Sequence, residues 1–389
     1  MTLTSISSPQ LVKEVMRRTE DFMPSNALTS VVDLAPGTLR ILAKARFALP
    51  PVLASATGEE HRAVRTMVGK FFTPAKVTGI SALVRELSAE RLAVTAAALG
   101  QGARAPEIPA PEIPDHAALH HGTENGGVPD HRVVDLAESI AMHIPPVIMA
   151  ELTGQPMPEL SLLKRWSQDS LELFWGWPGP ERQQQLAHSA AEFYGWLRGE
   201  ANAARGTDSL FGVLHAAGLS QAEICSLGYF LVIAGQETTS LLISTALYRG
   251  IQKAQESCAS AWKELADPTA AATHVRHVLA TESSVHTWRR AVAHNTTLGG
   301  MELPAGAEIL LELSGHHPAD ASPTAYSLAF GHGLHRCLGA KLAEMEAALV
   351  VEETARALPE LQLADPEPEW LRLLSFQAPL TVNVARRTP

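Results

Sequence analysis

The chain has 389 residues, 46% of them hydrophobic, with a formal net charge of -10 at pH 7, so it carries enough apolar material for a large buried core. The acidic balance and the lack of clustered Lys and Arg exclude a nucleic-acid binder, because phosphate contacts need concentrated cations. Three cysteines, no charged-then-apolar leader and no apolar run near the ~20 residues of a bilayer span predict a soluble protein of the reducing cytoplasm without structural disulfides.

In chain order, GEEHRAVRTMVGKFFTP (58–74) reads as a helix, and LSAERLAVTAAALG (87–100) repeats apolar residues at helical spacing. The stretch 101–132 breaks the pattern with proline and glycine and carries APEIP twice, which predicts a flexible insertion. Its His116, His120 and His121 have metal-ligand spacing only if a helix forms, and solvated histidines are the simpler reading. SAAEFYGWLRGEANAA (189–204) is helical again. The segment 225–250, CSLGYFLVIAGQETTSLLISTALYRG, is apolar nearly all round, as a helix in the middle of a large protein should be. Gln236, Glu237, Thr238, Thr239 and Ser240 interrupt it and need a polar network, water or a ligand. Ala234 and Gly235 before the acid leave room for something flat, and the glycine predicts a kink. Strand-like alternation is confined to TTLGGMELPAGAEILLEL (296–313) and APLTVNVA (378–385). The fold class is mainly α with a small β portion.

The stretch FGHGLHRCLG (330–339) presents Cys337 among glycines and basic residues, directly before the helical AKLAEMEAALVVEETARAL. Gly331, Gly333 and Gly339 allow tight turns that aim backbone N–H groups at the sulfur, and the following helix offers its positive end. These are the conditions for a thiolate that binds a metal, haem iron included. An inert buried cysteine explains none of these neighbours.

On these residues the chain resembles the cytochrome P450 family. FGHGLHRCLGAKLAEMEA looks like its haem-binding signature, and AGQETT (234–239) is similar to its oxygen-activating segment on the long central helix. GEEHRAVRTMVGKFFTP and RRAVAHNTTLGGMELPAGAEILL resemble the two regions whose cations meet the haem propionates. The resemblance implies one domain over 1–389, a triangular helical prism with small sheets and a shortened N-terminal sheet, and 101–132 as an unmatched insertion. It implies haem b with Cys337 as axial ligand, Phe330, Gly331 and Gly339 framing the loop, and Ala234 and Gly235 under the macrocycle. His61, Arg65, Arg290 and His335 would bind its propionates, charge-assisted contacts that carboxylates on an apolar ring require. Glu237 and Thr238 would be catalytic, relaying protons to dioxygen. A ferredoxin-type donor would dock at Arg336 and Lys341 and supply two electrons, since no flavin or nicotinamide fingerprint is present. The implied function is monooxygenation, hydroxylating or coupling a small lipophilic secondary-metabolite intermediate, free or bound to a carrier protein. The walls of its pocket would come from 230–233, 283–287 and 375–376. Alternatives are a peroxide-using or non-oxygenating haem-thiolate enzyme and a non-catalytic haem-bearing partner.

The departures are specific. The family's E-x-x-R is replaced by His277 and Ala280, and His316 and His317 stand where Arg and Asp are usual. Loss of a whole buried charge set can be nearly neutral, whereas loss of one partner costs several kcal/mol. The expectation is therefore a haem-competent fold whose proximal side is held by packing.

Overall fold

The computed structural model describes residues 3–100, 133–257, 260–315 and 326–387. The insertion 101–132 with its three histidines, and the pair His316 and His317, lie outside the described residues. The N-terminal part places β1 (Thr4–Ile6), α1 (Pro9–Arg17), β2 (Phe22–Met23), α2 (Pro36–Lys44), α3 (Gly58–Gly69), α4 (Pro74–Gly79) and α5 (Ser81–Gly100). After β3 (Val134–Asp135) come α6 (Ile144–Thr153), α7 (Leu160–Trp175), α8 (Pro180–Ala203), α9 (Leu210–Ala216) and the long α10 (Gln221–Glu256). The C-terminal part holds α11 (Ser260–Glu264), α12 (Pro268–Glu282), β4 (Thr287–Val292), β5 (Thr296–Leu298), β6 (Met301–Leu303), β7 (Glu308–Glu312) and α13 (Ala340–Ala357). Four short strands close it: β8 (Leu361–Leu363), β9 (Trp370–Arg372), β10 (Gln377–Pro379) and β11 (Asn383–Arg386).

A capping box starts α10: Ser220 N–H donates to the Glu223 carboxylate (2.8 Å) while Ser220 Oγ accepts from Glu223 N–H (3.3 Å). The helix runs unbroken through Gly235. Thr238, Thr239, Ser240, Ser244 and Thr245 each donate to the carbonyl one turn back, so the polar stretch is satisfied inside the helix. By length and composition α10 could cross a membrane, contrary to the sequence expectation, but 67% of its apolar window is buried inside the protein, as in a core helix. It packs against α6, α7, α8, α9, α12 and α13, with α6 meeting it at Gly235 through Met149.

The largest sheet has the order β1-β7-β4-β2, with β1 parallel to β7 and the other pairs antiparallel. More strands form than the sequence alternation marks, because a two- or three-residue strand is set by its partner and not by its own pattern. In β4 the side chains of Trp288 and Arg290 share a face by the period of two, and both reach the same cavity.

The position expected to hold the E-x-x-R arginine is Ala280, buried in α12; the α12–α13 contact is apolar through Val275, Leu279, Val350 and Val351, with one ion pair across it, Arg276 Nε to the largely buried Glu344 Oε1 (2.6 Å). His277 is exposed. The charge set is not wholly gone, however. Glu346 on α13 is completely buried, and neither carboxylate oxygen has a hydrogen-bond partner among the described residues. Burial pushes its pKa well up, so it is carried as a neutral acid.

Candidate active site

The cysteine loop follows a short turn, Tyr326–Phe330, and leads into α13. Gly331 (φ +72°) and Gly333 (φ +66°) take the left-handed conformation that side chains disfavour. A Cβ on Gly333 would also lie 3.0 Å from the Met16 carbonyl oxygen. Hydrogen bonds hold the loop, among them Cys337 N–H to Phe330 O (2.8 Å), Gly331 N–H to Leu328 O (2.8 Å), Arg336 N–H to Gly333 O (3.2 Å), His332 N–H to Met16 Sδ (3.1 Å), Arg65 Nη2 to Arg336 O (2.5 Å), and His335 Nε2 with Ala56 O (2.8 Å). Gly339 places its backbone N–H beside the sulfur, as the sequence reading expects, although its φ of -85° is an ordinary conformation.

Cys337 lies deep in the molecule, yet its surface opens into a cavity. That depth raises its pKa above the ordinary thiol value, opposed by the Gly339 N–H, Arg65 and Arg336. A metal cation bonded to the sulfur would reverse this balance.

Above the loop, polar groups converge without partners. Arg290 is 1% exposed, its Nε has no partner, and its only hydrogen bond among the described residues runs from Nη1 to the Arg289 carbonyl (2.8 Å). Burial alone lowers its pKa to about 10. His335 is pushed down to about 4 by burial, opposed by the Ala56 carbonyl, with Arg290, His61 and Arg65 adding repulsion, so these four groups share one corner. His335 Nδ1 is buried and unpartnered. His61, also 1% exposed, lies 4.8 Å from the His335 ring and has no hydrogen-bond partner at either nitrogen. Burial lowers its pKa too, with Arg65 reinforcing and the Leu53 backbone opposing. No Asp or Glu lines the cavity among the described residues. Buried cations without acids are expensive, and an anionic ligand is the usual remedy.

Across the cavity stand Ala234, Gly235 and Thr238 of α10. A Cβ on Gly235 would lie 2.5 Å from Met149 Cε, so α6 occupies part of the bare face expected for a flat ligand. Thr238 Oγ1 donates to Ala234 O (2.6 Å), and Ser284 Oγ donates to the Thr238 carbonyl (2.9 Å). Glu237 does not join them. Consecutive helical residues project about 100° apart, and Glu237, 2% exposed, faces away from the cavity to accept from Lys164 Nζ (3.2 Å). The same ammonium donates to Gln236 Oε1 (2.5 Å) and Ser240 Oγ (3.1 Å). Burial lowers the Lys164 pKa, and Glu237 opposes it. The expected side-by-side pair in the cavity is therefore corrected to one cavity hydroxyl and one buried ion pair behind it.

Of the walls expected from sequence, Phe230, Leu231, Ile233, Ser283, Ser284, Val285 and Phe376 line the cavity. Val232, His286, Thr287 and Ser375 do not. Sequence patterning did not mark Phe174 and Trp175 at the end of α7, or Leu49 and Leu53 after α2, which also line it. The run LFWGWPG was the available signal, aromatic residues ahead of a helix-ending glycine and proline.

Thus a thiol, the buried Arg290 guanidinium with no acid beside it, the His335 imidazole and a hydroxyl face one cavity, while His61 sits beside His335 without lining it. Together they fit a flat group that offers a metal to sulfur and two carboxylates to the cation corner.

No protein-family model matches the chain. Among curated proteins, it is 30% identical over 256 residues to the cytochrome P450 monooxygenase PikC of Streptomyces venezuelae, covering 60% of this chain and 58% of that protein. It is 25% identical over 356 residues to the mycinamicin IV hydroxylase/epoxidase of Micromonospora griseorubida, covering 85% of this chain and 79% of that protein. The chain spans about three fifths of the length of PikC. Among solved structures, cytochrome P450 CREJ in complex with (4-ethylphenyl) dihydrogen phosphate matches with a TM-score of 0.82 at 25% identity, over 99% of this chain and 92% of that one.

Proposed function

Because the chain belongs to the cytochrome P450 family, we propose that it is a haem-thiolate monooxygenase acting on a compact lipophilic molecule. The observation that carries this reading is Arg290: a fully buried guanidinium with no acid beside it, opening on the same cavity as Cys337. When bound, haem b supplies the reductive activation of dioxygen that converts a C–H bond to an alcohol.

The chain's own residues then have separable parts. Cys337 Sγ is the iron ligand, held by the backbone bonds of its loop. Phe330, Gly331 and Gly339 keep the loop flat beside it. Arg290, His335, His61 and Arg65 neutralise two carboxylates. Ala234 and Gly235 leave the opposite face low, and Thr238 keeps a proton at Oγ1 through its bond to Ala234 O. Glu237 fixes Lys164 behind the helix and supplies protons to the cavity only by leaving that ion pair. Electrons come from an acidic ferredoxin-type protein at Arg336 and Lys341, both on the cysteine side; Arg336 is exposed and Lys341 is 74% exposed. A small molecule of secondary metabolism, free or carrier-bound, is the substrate class in keeping with the named relatives. Cys225 and Cys337 as free thiols suit the cytoplasm.

The test is the absorption spectrum of the reduced protein with carbon monoxide. A thiolate-type Soret shift that Cys337→Ser removes is the expected outcome. Turnover with a reductase system and dioxygen, set against turnover with peroxide, then separates oxygenation from peroxide use. A protein that takes up no haem rejects the proposal.

A further inference from the structure

Beyond the haem corner the cavity is a chamber with a chemical preference of its own. Trp175, Trp288 and Phe376 form a mutually angled trio on its wall: Trp175–Phe376 centroids are 5.0 Å apart at 81°, Trp288–Phe376 6.3 Å at 84°, and Trp175–Trp288 6.0 Å at 33°. Phe174 packs edge-on against Trp175 (5.8 Å, 68°) and against Tyr229 of α10 (6.2 Å, 89°), which carries the wall on, and Phe230 adds a sixth ring. Edge-to-face pairs prefer a further ring over a saturated one because ring edges are positive and faces negative. Most chamber hydroxyls have committed their protons: Ser226 to Pro50 O (2.8 Å), Ser284 to Thr238 O, Thr238 to Ala234 O and Thr239 to Gly235 O, while Tyr229 Oη is engaged with Ser170 (2.6 Å). Every charged side chain of the cavity sits with the cysteine loop or the cation corner, and no acid lines it among the described residues. A charged substrate group would therefore be buried unpaired.

We infer that the chamber selects an uncharged aromatic ring system, discriminating against a saturated molecule of the same shape and against amines and carboxylates. This deepens the monooxygenase reading, resting on it only for what becomes of the bound ring.

The experiment measures direct binding by equilibrium dialysis to the haem-loaded protein, using naphthalene, decalin, naphthylmethylamine and naphthoate as probes of one size. Naphthalene is expected to bind at least about 10-fold tighter than decalin, given the worth of several aromatic pairs. Each charged probe should bind at least about 10-fold more weakly than naphthalene. Phe376→Leu and, independently, Trp288→Leu should bring the naphthalene-to-decalin ratio toward one. Equal affinity for naphthalene and decalin, or binding of the amine as tight as naphthalene, overturns the inference. The wild-type order alone decides it if a variant fails to fold. Failure of the haem reading shows separately, as a missing thiolate-type spectrum in the same preparation, and the order of naphthalene, decalin and the amine still tests the chamber by itself.

Discussion

Arg290 is where stability and function pull in opposite directions. Its pKa falls to about 10 through burial alone, and a fall of that size from the ordinary arginine value is worth about 3 kcal/mol of charge-burial penalty. The bond from Nη1 to the Arg289 carbonyl returns about 1 kcal/mol. Arg290→Met, of similar length and uncharged, removes both and should stabilise the haem-free protein by about 2 kcal/mol. In the loaded protein the same change leaves a carboxylate without its cation, a loss of about 3–5 kcal/mol when the pair is buried. The two forms should therefore shift in opposite senses, which a merely structural arginine would not do. Urea unfolding of the haem-free and haem-loaded proteins, parent and variant, reads the effect. A variant destabilised in the haem-free form, or indistinguishable from the parent in the loaded form, would refute the argument.

Glu237→Gln strands the buried Lys164 ammonium and should cost about 3 kcal/mol in chemical denaturation, most of it recovered in the double variant with Lys164→Met. Gly235→Ala gains helix propensity of about 1 kcal/mol but meets Met149 Cε at 2.5 Å, so unfolding should change little while Met149 is displaced and naphthalene affinity falls. Thr238→Ala removes the cavity hydroxyl and should leave dioxygen consumption running without matching product; unchanged coupling would remove Thr238 from the mechanism. His143, lowered to about 4 mainly by burial with Arg91 and Lys164 repelling its charge, makes the protein lose stability as pH falls. The unfolded imidazole takes a proton near 6.5 whereas the folded one resists until about 4, so stability is full above 6.5 and declines below it. His143→Gln should flatten the unfolding midpoint between pH 7.5 and 4.5 as measured by circular dichroism, and an unaltered slope would contradict the assignment.

The features legible in the sequence share one property: their residues are close together in the chain. Cys337 with its two left-handed glycines spans only a few positions, and the same short range exposed Thr238 beside Ala234 and Gly235. Arg290 and His61 follow from the family resemblance of the stretches that hold them, 289–311 and 58–74, and not from periodicity. Lys164 could not, since it meets Glu237 from 73 residues away and a lysine on an amphipathic helix reads as solvated. Phe174 and Trp175 looked like ordinary core, because periodicity reports that a side chain is inward without saying whether protein or ligand fills the space. The parallel pairing of Thr4 with Ile309 is likewise invisible to local alternation.

Glu346 marks where an all-or-none view of a charge network stops holding. The sequence pattern treats the missing arginine and its partners as one network lost together, and the apolar packing around Ala280 agrees with it, although Arg276 and Glu344 still pair across α12 and α13. Yet an acid is still buried on α13 with no hydrogen-bond partner among the described residues. Protonation resolves the conflict: a neutral carboxyl forfeits hydrogen bonds but not ionic solvation, so its burial costs a few kcal/mol at most where the ion would cost far more. Glu346→Gln keeps shape and neutrality and should stabilise the protein at pH 7, where the unfolded carboxyl is already ionised, by removing the loss of stability that a raised carboxyl pKa imposes as pH climbs above the ordinary carboxylate value. The sign follows from protons bound: the folded chain keeps one that the unfolded chain releases, so raising pH favours unfolding until the folded group also ionises. If Glu346→Gln instead unfolds the protein at neutral pH, the acid is an ion with a partner outside the described residues, and the proximal side is held by charge after all.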